Sequence, residues 1–229
     1  MQESGNLNIR KSRIKWISIG VILLIAIAVT AWVLFFRDNS PASVNSQTAE
    51  KARQEALSEV EPVTVDSLDG IWTIDTEIGV FDQKCLTEVC NSSFAGFRID
   101  EELVGIGGKT VVGRTPGIQS QFAIEGSTIF LAGQEGNPTI VVDMAGLTTD
   151  DAGRNNAIKR QAIETEKYPE AYFDIKQPID FNTESDLQAG FEIEVRGDLT
   201  IHGVTREERI VLNVSFDGSR ILVYGELSP

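Results

Sequence analysis

Leu199-Thr200-Ile201-His202-Gly203-Val204-Thr205 decides how this chain reads. It holds the only histidine and stands between two alternating runs. Upstream, Phe191, Ile193 and Val195 alternate with Glu192, Glu194 and Arg196. Downstream, Ile210, Leu212, Val214 and Phe216 alternate with polar or smaller residues. A period of two marks a strand with one dry and one wet face. Gly203 supplies a turn. The heptapeptide therefore predicts the junction of two antiparallel strands.

The same pattern recurs on both sides. Gly70 to Phe81 reads as a first strand and Ser93 to Leu103 as a second, with Ala95, Phe97 and Ile99 inward. Val104 to Thr115 carries Gly105, Gly107, Gly108 and Gly113. No helix pattern or Gly-Lys-Ser/Thr follows, so a curved strand fits better than a nucleotide loop. Ile118, Ser120, Phe122 and Ile124 alternate, Glu125-Gly126-Ser127 turns, and Thr128 to Leu131 returns. Gly136-Asn137-Pro138 is a further turn before Thr139 to Met144. Asp150 or Asp151 caps the one helix predicted in the domain, Asn155 to Glu166, which Tyr168-Pro169 ends. Ala171, Phe173 and Ile175 form the next strand face, and Arg220 to Tyr224 begins the last.

The remaining chain divides in three. Residues 1–15 form a basic tail, with Arg10, Lys11, Arg13 and Lys15. Trp16 to Phe36 is an uncharged run long enough to cross a bilayer as a single helix, and the basic residues before it place the N-terminus in the cytoplasm. A cleaved signal peptide is the competing reading, with Ala26-Ile27-Ala28 as the cut, but cutting there leaves Val29 to Phe36 apolar at the new terminus. Residues 37–66 read as a flexible linker, with room for a short helix over Ala49 to Leu57. Residues 67–229 make the domain, which these rules place outside the cytoplasm on the cytoplasmic membrane. The net charge is −14, and beyond the apolar run 16 basic residues face 33 acidic ones. Such a field argues against nucleic acid, whose phosphates need Lys and Arg.

Chemistry is sparse. No Gly-x-Ser-x-Gly elbow is present, and His202 is the sole imidazole, so no catalytic constellation and no metal site is predicted. Cys85 and Cys90 lie close together in a segment expected outside the cytoplasm, where a disulfide is favoured over metal or redox roles.

Several blocks together are similar to one family. Gly197-Asp198-Leu199-Thr200-Ile201-His202-Gly203-Val204-Thr205 resembles the signature of the YceI-like lipid-binding proteins. Leu147-Thr148-Thr149-Asp150, Arg154-Asn155 and Tyr168-Pro169-Glu170-Ala171-Tyr172-Phe173 form a second block. Trp72-Thr73-Ile74-Asp75, Phe97-Arg98-Ile99 and Gly113-Arg114-Thr115 form a third. The resemblance implies an all-β fold, an antiparallel eight-stranded lipocalin-like barrel with one short helix, here preceded by a single transmembrane helix. Members of that family normally continue through another strand segment, so either this chain is cut short after Pro229 or the barrel closes with fewer residues.

The resemblance also implies a polyisoprenoid or similar lipid as ligand, with no other cofactor. The inward positions that would line an apolar cavity are Phe97, Ile99, Ile118, Phe122, Ile140, Val142, Phe173, Phe191, Ile193, Leu212 and Val214. The same positions are equally those of a filled core. Arg98, Arg114 and Arg154 are placed to meet a polar headgroup or surface acids. His202 either fixes the turn or, if the strand bulges, reaches a headgroup. Three functions are open at this point. They are non-covalent carriage of an apolar chain (polyisoprenoid, quinone or fatty amide), a filled-core interaction or envelope-stress module, and a hydrolase or isomerase using His202. The first is preferred, and the oligomeric state is left open.

Overall fold

The computed structural model describes residues 19–33, 40–58, 65–103, 107–131, 139–181 and 184–227. The chain falls into two compact units, residues 1–39 with 102–109 and residues 40–101 with 110–229. In the first, residues 19–33 form helix α1. Its side chains are exposed, and those of Ile22, Leu24 and Trp32 are more than half exposed. At its rise per residue α1 is about 22 Å long, against about 30 Å for a hydrocarbon core. No helix among the described residues is long and apolar enough to cross a membrane. The span expected over 16–36 runs past α1 at both ends, outside the described residues, as does the basic tail.

The second unit opens with α2 (Ser46–Leu57), inside the expected linker. The Asn45 side chain accepts from the amides of Gln47 and Thr48, and Thr48 Oγ1 accepts from the Asn45 amide, a reciprocal cap. The strands follow: β1 (Gly70–Thr73), β2 (Ala95–Leu103), β3 (Gly107–Thr115), β4 (Ile118–Gln119), β5 (Gln121–Glu125) and β6 (Thr128–Leu131). Then come β7 (Thr139–Asp143), α3 (Ala152–Ala157) with a π turn over Ile158–Ala162, β8 (Glu170–Ile175) and β9 (Ile179–Asp180). The chain finishes with α4 (Glu184–Ala189), β10 (Phe191–Ile201), β11 (Val204–Phe216) and β12 (Ile221–Glu226).

Among the described residues these strands form three sheets. One has the order β1-β5-β6-β9, one β12-β11-β10-β8-β7-β4, and the third is the pair β2-β3. The strand pairs within the two larger sheets are antiparallel. The fold is therefore mostly β and antiparallel, as expected, but the described strands do not form one eight-stranded ring. The reason is that two runs change sheets midway. Before Ser120 the chain pairs with β7, and after it with β1 and β6. The run that pairs as β8 leaves that sheet at Lys176 and joins β6 as β9 beyond Pro178, which has no amide to give to a ladder.

Other boundaries also moved for local reasons. The first strand stops at Thr73, because Asp75 Oδ1 accepts from the amides of Glu77 and Ile78 at 3.0 Å and turns the chain. Asp151 caps α3 through the Arg154 amide at 2.7 Å. The helix expected from Asn155 begins earlier and widens into the π turn, where the Ile163 amide donates to the Ile158 carbonyl. The expectation of a single short helix in the domain was too low, since α4 is present as well; α2 falls where the linker left room for one. Gly105 and the Gly136-Asn137-Pro138 turn lie outside the described residues.

Candidate ligand-binding interior

The two larger sheets turn their apolar faces toward each other. Leu68, Ile124, Phe181, Leu187, Val214 and Phe216 form one cluster, with Trp72, Phe122, Phe191, Ile193 and Leu212 packed on it. Phe173, Ile175, Ile179 and Val195 form a second, joined by Ile140, Ile193 and Leu212. Ile193 and Leu212 touch both clusters, so the apolar region is continuous. Trp72 and Phe216 meet edge to face at 6.2 Å, and Phe181 stacks on Phe191 at 6.4 Å. The Trp72 indole donates to the Leu68 carbonyl at 2.8 Å, so its one polar group is met.

A third cluster closes one end. Met144, Leu147 and Ala171 are buried with Phe97, Val142, Ile158, Ile163 and Ile201 against them. Here the opening heptapeptide does its structural work. His202 and Gly203 are the two turn residues between Ile201 and its partner Val204, with φ of 53° and 70°. A side chain on Gly203 would meet the Tyr168 ring at 2.6 Å, so the ring lies directly on the turn. Ile201 enters the cluster, and the His202 ring meets Tyr168 at 4.6 Å and Glu164 Oε2 at 2.7 Å. The imidazole is half-exposed there.

Of the positions assigned to a cavity from sequence, nine pack in these clusters: Phe97, Phe122, Ile140, Val142, Phe173, Phe191, Ile193, Leu212 and Val214. Ile118 is half-buried opposite Val142. Ile99 shares the face of Phe97 but is 54% exposed. Alternation also held the signal for residues left off that set, since Ile124, Val195 and Phe216 each continue the face of Phe122, Ile193 or Val214 by two positions. Phe181 likewise continues the face of Ile179 by two positions, its amide donating to the Ser127 carbonyl. Leu187 carried no such signal, since it sits on the one-and-a-half-turn helix α4, too short to show a period.

The arginines lie elsewhere. Arg154 Nη1 bonds Asp150 Oδ1 at 2.6 Å on α3. Arg114 is 5% exposed, donates to the carbonyls of Cys85 and Glu88, and lies 4.3 Å from the Phe94 ring centre. Burial lowers its pKa to about 10, and nearby Arg98 acts in the same direction. Its neighbours across β2 are Gly96 rather than Phe97, so it faces away from the third cluster. Cys85 and Cys90 form the expected disulfide, and Arg114 fixes that loop from both ends.

A family model of the YceI-like domain matches residues 87–226. The chain belongs to the YceI-like family. Among solved structures, this YceI-like chain is similar to BcnA of Burkholderia cenocepacia, at 14% identity and a TM-score of 0.43 over 58% of this chain and 76% of that one. It is similar also to a polyisoprenoid binding domain from Saccharophagus degradans implicated in plant cell wall breakdown, at 18% identity and a TM-score of 0.41 over 57% and 67%. A mutant CJ YceI protein with a monobromobimane guest follows at 16% identity and a TM-score of 0.36, over 45% and 55%. No curated protein matches the chain.

Proposed function

We propose that this protein binds an apolar chain without covalent chemistry, holding or transferring it between the two larger sheets. The observation that carries this reading is the chemistry of that interior. Among the described residues, every buried side chain on the strands of the two larger sheets is apolar, and the buried polar residues lie elsewhere, Arg114 and Thr115 on β3 and Thr149 and Thr165 either side of α3. A site of this kind recognises hydrocarbon by exclusion from water, at about 0.8 kcal/mol per CH₂ buried. Membership of the YceI-like family supports the same ligand class. Polyisoprenoids, quinones and fatty amides all fit it. We further propose that residues 16–36 anchor the protein in the cytoplasmic membrane with the domain outside, within reach of lipid. The reading assigns no enzymatic step and no other cofactor.

Native mass spectrometry with solvent extraction tests it. The expected result is an adduct whose mass matches an extracted prenyl or acyl chain. A clean unliganded mass that stays unchanged after incubation with membrane lipid extract favours the second reading, a filled-core interaction module. That reading has its own support, because the ring contacts of Trp72, Phe216, Phe181 and Phe191 already pack the interior against itself.

A further inference from the structure

β12 and β2 are two of the strands at which a sheet ends, β1, β4 and β9 being others. Among the described residues, β12 pairs only with β11, and β2 only with β3. The side chains beside those edges are telling. Val223 shares the inner face through its partner Val214, and Ile99 shares the face of Phe97. Residues on such faces are normally dry, yet Val223 is 47% and Ile99 54% exposed. The apolar face is therefore open at Val223 and at Ile99, while Ile221 and Phe97 on the same two strands are packed.

One segment links the two edges. Arg98 Nη1 on β2 donates to the Pro41 carbonyl, and the Val44 amide donates to Glu226 Oε1 on β12 at 3.3 Å. Pro41 and Val44 are so close in sequence that extended chain between them spans only about 11 Å. From there α2 runs to the β11–β12 turn, where Arg53 Nη1 meets Asp217 Oδ2 at 2.9 Å. Glu50 holds the same guanidinium from within the helix.

We infer that an apolar chain enters and leaves sideways, through the seam between β12 and β2, and that Ser40–Leu57 is a strap across that seam clasped by Arg53 and Asp217. The inference rests on the carrier reading above. The strap is held in the way a releasable element is held. In α2 only Ala49 and Ala56 are buried, and a groove of about 330 Å³ remains between Val44–Ser46 and the side chains of Val211 and Tyr224. Elements with few buried apolar contacts open well before the rest of a fold. The clasp is ionic at neutral pH. Burial pushes the Asp217 carboxyl up, but the amides of Arg220 and Ser219, the Ser219 hydroxyl and Arg53 together hold it below its ordinary range.

The test uses the full chain in amphipol and stopped-flow uptake of a dansyl-labelled farnesyl amide, with dansylamide as control. Arg53→Glu sets a negative charge against Asp217 and Glu50 and frees the strap, which amide hydrogen exchange of residues 46–57 reports directly. A double variant, Arg53→Cys with Asp217→Cys, is locked by a short bismaleimide, the native cysteines being bonded to each other. Expected are roughly tenfold faster uptake in the freed form, at least tenfold slower uptake in the locked form, and equal amounts bound at saturation. Equal rates in all forms, with full saturation, overturn the strap and leave the carrier intact. No saturable uptake even in the freed form overturns the carrier reading and the strap with it.

Discussion

The β10–β11 hairpin and the β2–β3 ribbon are each two strands close in sequence, yet they are held by different means. The hairpin pairs through eleven consecutive partners from Phe191↔Val214 to Ile201↔Val204, and one face is apolar while the other carries charge. On the charged face Lys176 meets Asp198 and Glu207, and Arg196 and Arg209 meet Glu194. Such exposed pairs contribute little each, so the dry face holds the hairpin. In the ribbon, consecutive residues of β3 are buried, from Val111 through Thr115. Both faces are covered, and the Arg114 guanidinium supports the disulfide loop by bonds to carbonyls rather than by hydrocarbon contact. The hairpin is stabilised by what it excludes from water, and the ribbon by what is fastened over it.

That contrast predicts a ranking. Phe173→Ala removes a ring that is 5% exposed and that lies over Gly197 of β10, close enough that any side chain there would meet it at 2.7 Å. It should cost about 3–5 kcal/mol in urea unfolding. Val211→Ala, on the outer face, should cost less than about 0.5 kcal/mol. A similar cost for both would show that the inner face does not carry the hairpin.

Replacing Cys85 and Cys90 by serine opens a small loop, for which the chain-entropy relation gives about 2 kcal/mol. The loss should be local. Protease cutting between Asp82 and Phe94 should accelerate while hydrogen exchange in β10 and β11 holds. If β10 and β11 exchange faster as well, the ribbon and hairpin are one cooperative unit and the contrast fails.

A change no larger than that of the disulfide is expected at the turn itself. His202→Ala loses the bond to Glu164 and puts alanine at a positive φ, for about 1–2 kcal/mol together. His202→Asn, at ease in that backbone region, should recover part of it. Equal midpoints for the two variants in thermal melts would place the effect in the ring alone.

The sequence made the hairpin legible because half-burial writes itself as alternation. Phe191 to Val195 and Ile210 to Phe216 show it plainly, and the structure pairs them in register. Val111 to Thr115 shows no alternation, since both faces are covered, so its glycines were the only visible feature. The change of sheet at Ser120 was hidden because alternation from Ile118 to Ile124 runs through it unbroken. In the candidate interior, Phe122, Phe173 and Val214 pack where the spacing put an apolar face, whereas Ile99 is exposed. Its face was read correctly, and what lies opposite that face depends on distant chain. The docking of α2 was missed for a related cause. Its stripe is two alanines, and its hold on the domain comes from Arg53 and Asp217, 164 residues apart.

The strap also has a place in time. The Val44 amide precedes its partner Glu226 by 182 residues. At the pace of synthesis, roughly 5–20 residues per second, that partner emerges about 10–40 s later. The first segment of the domain to be made is therefore among the last to be fastened. The β10–β11 hairpin, whose turn needs only its own neighbours, is complete before β12 exists. A newly made chain thus passes through an interval in which its sheets are assembled and its side is still open.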